Sequence, residues 1–164
     1  MLTTAKLKKS AQKPTKWPEV GRSHEGMVTL LGIVFLAMAI TQLLTFNKFE
    51  IILYVGGLTA KTAWAVAIIL AEILAAAGFF KIRISHLLRV LSAVAALSVS
   101  IFWFVYNIKL IADGLAGIVP NIGFFGDYLA QTPGWWTTLM TTVLVLWVIY
   151  ALDLMRSSLA LGKA

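Results

Sequence analysis

One residue in this chain joins a reactive group to an unusual setting. Glu72 stands alone as an acid in the apolar run 62–80. Ten residues separate it from Thr62 and eight from Phe80. At about 1.5 Å of rise per residue that is roughly 12–15 Å from either end of a helix, near the centre of a bilayer. A carboxyl group there costs about 2.5–3.5 kcal/mol on insertion scales, so it must face the interior of a helix bundle. It could move a proton or bind a polar ligand. It could equally make an interhelical hydrogen bond that fixes helix register. The sequence offers it partners: Ser98 at a similar depth on the next apolar run, and Thr41 and Gln42 nearer the outer end of the run before it.

Other chemistries fall away. The chain has no cysteine. Disulfides, thiolate metal sites, iron–sulfur clusters and thiol nucleophiles are therefore excluded. His24 and His86 are far apart in sequence and have no ligand cluster near them, so no metal site is expected. Gly56-Gly57 lacks the rest of a phosphate-binding loop. No catalytic residue is assigned.

The elements that would position Glu72 are membrane helices. Of the 164 residues, 60% are hydrophobic and 13% charged. Soluble domains carry about 25% charged residues, so this chain could not cover a soluble surface. Four runs meet the need for about 20 apolar residues per crossing: 27–46, 62–80, 87–108 and 135–155. The expected fold is an all-α integral membrane protein, a four-helix antiparallel bundle over 27–155. A basic tail (1–26) and a short C-terminus (156–164) flank it.

Lysines and arginines orient the bundle. Lys6, Lys8, Lys9, Lys13, Lys16, Arg22, Lys81, Arg83, Arg89, Arg156 and Lys163 fall on one side, and Lys48, Lys61 and Lys109 on the other. By the positive-inside rule both termini are expected in the cytoplasm, at a prokaryotic cytoplasmic membrane. The net charge of +7 is mostly this asymmetry and needs no nucleic acid to explain it. The small-residue pattern Ala37-Met38-Ala39 is not expected to be cleaved, because the polar stretch before it is too long for a signal peptide. Trp64, Trp103, Tyr106, Trp135 and Trp136 are expected at the outer headgroup level. Trp147 and Tyr150 lie deeper.

The connections carry the remaining features. A short interfacial helix, then a turn at Gly56-Gly57, is expected over 47–61. The outer loop 109–134 is glycine-rich yet apolar, so it should fold back onto the bundle or lie in the interface. Asp113 and Asp127 should support turns in it. Ala63, Ala67, Ala71 and Ala75 recur at every fourth position and suggest a close-packing face, as do Ser92, Ala95 and Ser98. Arg89, Asp153 and Arg156 are expected to form a small ion-pair cluster at the inner face.

In order, these features resemble the methylamine-utilisation membrane proteins (MauE) and the wider DoxX-like group of small four-span proteins. The segment from Thr41 to Phe49, TQLLTFNKF, resembles the end of their first span. Trp64-Ala65, Ala71-Glu72-Ile73-Leu74 and Gly78 resemble their second, and the stretch from Arg83 to Arg89 their inner hairpin. In the outer loop, family members often have a proline followed by Cys-Gly-Cys-Phe-Gly. Here the loop reads Pro120-Asn121-Ile122-Gly123-Phe124-Phe125-Gly126. The glycines and Phe125 are in register, but Ile122 and Phe124 stand where the cysteines would be.

The resemblance implies a role in maturing redox proteins through thiols at the outer face. This chain has no thiolate with which to do it. The expected function is therefore a non-catalytic scaffold or assembly partner for another membrane or outer-face protein, with Pro120, Ile122, Phe124 and Phe125 as the docking loop. A protein partner or homo-oligomer is expected within the lipid bilayer. Two alternatives stay open. One is a redox subunit that binds a quinone or another hydrophobic ligand through Glu72, with Ser98 and Gln42. The other is a small proton-coupled transporter or channel.

Overall fold

The computed structural model describes residues 22–80 and 85–161; side chains at 22–24, 86 and 157–161 lie outside that description. Most of the basic tail, the basic connection at 81–84 and the His24 and His86 side chains therefore fall outside the described part. The described residues form five helices: α1 (Arg22–Leu44), α2 (Phe46–Val55), α3 (Lys61–Phe79), α4 (His86–Ala112) and α5 (Trp135–Leu161). Four of them, all but α2, are long and apolar enough to cross a membrane.

Local sequence sets the boundaries. The first run was expected to reach residue 46, but α1 stops at Leu44. Thr45 breaks the path, with φ −113° and ψ 29°, and its hydroxyl turns back to the Thr41 carbonyl at 2.8 Å. A threonine bonded to its own backbone in this way competes with regular helix. The short α2 and the turn after it fall where they were expected. Gly57 has φ +90° and suits that turn. Tyr106 on α4 donates to the Ile52 carbonyl (3.1 Å) and Lys109 to the Gly56 carbonyl (3.2 Å). A cation at carbonyls that end a helix is favourable, because those groups carry partial negative charge. Ser85 caps α4 by accepting from the Leu88 amide.

Helix α1 packs on α3, α3 on α4, and α4 on α5, while α5 meets α1 over a smaller area and α2 lies against α3 and α1. Phe35 stacks on Phe79, and Gln42 reaches Glu72. Rising numbers in α1 thus meet falling numbers in α3, and the two run in opposite senses. The same holds for α3 and α4, where Ser92 bonds the Leu74 carbonyl and Trp64 stacks on Phe102.

The surface is apolar, and several polar side chains lie buried within the hydrophobic core. Leu30, Ile33, Ile40, Leu70, Ile73, Val94, Val105, Val143 and Leu146 point outward, whereas Gln42, Glu72, Ser92, Ser100, Asn107, Thr137 and Thr141 are buried. Apolar outside with polar inside is what contact with lipid favours, because polar groups cannot be satisfied in hydrocarbon.

Two packing expectations change. Ala75 is buried, but Ala63 and Ala67 are exposed. Positions four apart drift by about 40° per step at 3.6 residues per turn. The buried face of α3 instead follows Ala65, Ile68, Ile69, Glu72, Ala75, Ala76 and Phe79, the mixed three-and-four spacing of a helix face. Of the second strip, Ser92 and Ala95 are buried and Ser98 is exposed.

Helices α3 and α4 approach closely at Gly78, where an added Cβ would lie 1.9 Å from Ser92 Oγ. That hydroxyl is fixed by the Leu74 and Ala75 carbonyls. Gly78→Ala should therefore separate α3 from α4 and destabilise the protein by about 1–3 kcal/mol, the usual range for overpacking. Thermal unfolding in detergent or bilayers would measure it.

Candidate functional site

The interior face of α3 places Glu72 at its middle, fully buried. Helical side chains lean toward the N-terminus of their own helix. Because α3 and α4 are antiparallel, Glu72 and Trp103 lean toward each other. The Trp103 indole N–H donates to Glu72 Oε1 at 3.0 Å. Near the end of α1, Gln42 Nε2 donates to the same oxygen at 3.1 Å. Its second N–H goes to the Phe124 carbonyl, also at 3.1 Å. One carboxyl oxygen and one amide thus join α1, α3, α4 and the loop 113–134.

The other half of each group has no partner. Glu72 Oε2 and Gln42 Oε1 are buried and accept no hydrogen bond. Around them the walls are aromatic. The Trp103 ring lies 5.5 Å from Phe124, 5.3 Å from Phe102 and 6.2 Å from both Phe49 and Tyr106, centroid to centroid.

The loop reaches this depth because Asn121 builds it. The Asn121 side chain donates to the Gly126 carbonyl at 2.7 Å and accepts from the Gly123 amide at 2.9 Å and the Gln131 amide at 3.3 Å. An asparagine bonding the amide two residues on makes an Asx turn. Gly123 (φ +85°) and Gly126 (φ +57°) supply the left-handed backbone. Both also sit too close to neighbours for a Cβ: Gly123 would meet Phe49 at 2.9 Å, and Gly126 the Thr41 carbonyl at 2.6 Å.

At the rim, the Asp127 amide donates to Thr45 Oγ1 at 3.2 Å, and Lys48 of α2 forms an ion pair with the Asp127 carboxylate. The hydrogen bond to Asp127, and then its charge, hold the Lys48 ammonium protonated above its ordinary range. A raised lysine value means the link is complete at neutral pH and is lost only as pH rises through that raised value.

The structure redistributes the residues expected to act. Glu72 and Gln42 come together. Ser98 does not join them. It is exposed, because five residues place it about 140° around α4 from Trp103. Trp103, expected at the headgroup level, is the partner instead. Ile122 and Phe124 are buried at 0% and 3% exposure, packed inward as the apolar loop covers the bundle. They are therefore not available as a docking surface. Phe125 is partly buried and Pro120 is exposed. Among the described residues no ion pair joins Arg89, Asp153 and Arg156 into the expected inner cluster, and both Asp153 and Arg156 are exposed. On a helix surface two charges three residues apart gain little by pairing.

Sequence reasoning missed Trp103, Asn121 and the Phe124 carbonyl. Trp103 continues the buried series Ser92, Ala95, Ala96, Val99, a spacing that could have placed it inside. The signal for Asn121 was its position two residues before a glycine. A backbone carbonyl leaves no mark in sequence.

Asn121→Ala would strip partners from the Gly126 carbonyl and the Gly123 amide, and a buried unsatisfied polar group costs about 1–3 kcal/mol. The expected result is lower thermal stability and faster amide exchange over 121–126, read by hydrogen–deuterium exchange.

No protein-family model, no curated protein and no solved structure matches the chain.

Proposed function

We propose that this is a non-catalytic integral membrane protein of the MauE and DoxX-like kind, with both termini in the cytoplasm. In this reading it acts as a scaffold or maturation partner for another membrane or outer-face protein. The observation that supports it is the state of the outer loop. Its frame is fixed by Asn121, Gly123 and Gly126, yet Ile122 and Phe124 carry no reactive atom and pack inward. What that end presents is apolar and aromatic: Ile118, Tyr128, Leu129, Trp135 and Trp136 are all more than half exposed. Clusters of this kind suit a protein contact at the membrane surface.

A photo-crosslinker at Tyr128 or Leu129, activated in native membranes, should capture one defined partner. Capture of only the chain itself and lipid would contradict the reading.

A second reading has an observation of its own. Glu72 Oε2 and Gln42 Oε1 are buried acceptors in an aromatic setting, a place where a quinone-like or other hydrophobic ligand with a polar end could bind. Binding of such a compound that survives unchanged in Glu72→Ala would remove Glu72 from that role.

A further inference from the structure

Every donor at the buried site around Glu72 is already placed. Trp103 gives its one N–H to Glu72 Oε1, and Gln42 gives its two to Glu72 Oε1 and the Phe124 carbonyl. Two acceptors remain without a donor, Glu72 Oε2 and Gln42 Oε1. Turning the Gln42 amide over would not help. It would set the amide oxygen against Glu72 Oε1 and the Phe124 carbonyl, both acceptors, and leave that carbonyl without its donor.

An ionised Glu72 would fit poorly. The groups that bond it from α1 and α4 are Gln42 and Trp103, and from the loop the Phe124 backbone meets Gln42. None of these is charged, and no ion pair among the described residues includes Glu72. A carboxylate buried without a cation or a full set of donors is strongly disfavoured.

We propose that Glu72 holds a proton on Oε2 and donates it to Gln42 Oε1, so that the two side chains form a two-way carboxylic acid–amide pair. The proton belongs on Oε2 because Oε1 already accepts two N–H groups. It provides the one donor that both unpartnered oxygens lack: Oε2 becomes a donor and Gln42 Oε1 its acceptor. The amide already donates to the acid, so the returning bond closes a ring across the same two groups.

The pairing has a mechanical consequence. It fixes the plane of the Gln42 amide, and that plane aims the second N–H at the Phe124 carbonyl. The proton on Glu72 therefore clamps the loop over the bundle. An amide at position 72 can donate and accept in the same sense, so Glu72→Gln should keep the clamp. Glu72→Ala should release it.

Infrared difference spectroscopy of the protein in bilayers at neutral pH reads the proton directly. Expected is the carbonyl stretch of a hydrogen-bonded protonated carboxylic acid, lost in Glu72→Gln. A wild-type protein without that band overturns the proposal. Gln42→Met gives a second test that keeps the acid. The band should move to the position of a less hydrogen-bonded acid, and an unmoved band overturns the pairing. In hydrogen exchange at residues 123–126, Glu72→Gln should stay within about twofold of wild type and Glu72→Ala should rise about tenfold or more, the scale of one lost local hydrogen-bond network. Equal acceleration in both variants overturns the clamp.

Discussion

A carboxyl group in the middle of an apolar helix must find its partners inside the protein, because neither lipid nor packed side chains can solvate it. The arrangement around Glu72 follows from that requirement. Its partners come from α1, α4 and, through Gln42, the loop. A rotation of any one helix by a residue would carry its donor off the site. The polar node thus fixes a register that apolar packing alone would specify weakly, since leucines and alanines tolerate sliding more readily than directional bonds do.

The rest of the interior works in the same direction. Ser92 ties α4 to the carbonyls of α3, and Asn107 donates to Thr138 across to α5 at 2.8 Å. Between helices in lipid the hydrophobic effect contributes little, so small residues and hydrogen bonds carry association. Gly78 admits Ser92 at a distance no side chain would allow. The loop adds a further layer. Asn121 satisfies backbone groups that would otherwise be buried without partners, which is the condition for irregular backbone to lie against a membrane bundle.

The broad fold was legible from sequence because its signals are long. Runs of about 20 apolar residues, a short amphipathic stretch before Gly56-Gly57 and a glycine-rich loop read directly as the observed elements. The site was legible only in part. Glu72 stood out because charge is rare in such a run, and Gln42 because it is polar near the end of another. Ser98 failed because depth was counted while rotation about α4 was not. Trp103 failed for the opposite reason: a tryptophan near a helix end has a ready role at the headgroups, and only its phase with Ser92, Ala95 and Val99 reveals the interior. The docking loop was read from side-chain type, but the apolarity of Ile122 and Phe124 reflects packing beneath the loop and not display above it. Arg89, Asp153 and Arg156 were grouped by expected depth alone, and no ion pair among the described residues joins them.

If one carboxyl oxygen joins α1 and α4, then Gln42 and Trp103 must depend on each other through Glu72. A double-mutant cycle of Gln42→Ala and Trp103→Phe, followed by reversible unfolding in bilayers or detergent, measures that dependence most directly. The expected result is a coupling of about 0.5–2 kcal/mol, because each donor's bond to Oε1 is set by the geometry the other holds. Additive losses within about 0.3 kcal/mol would contradict the shared node and leave the two residues as separate packing contacts.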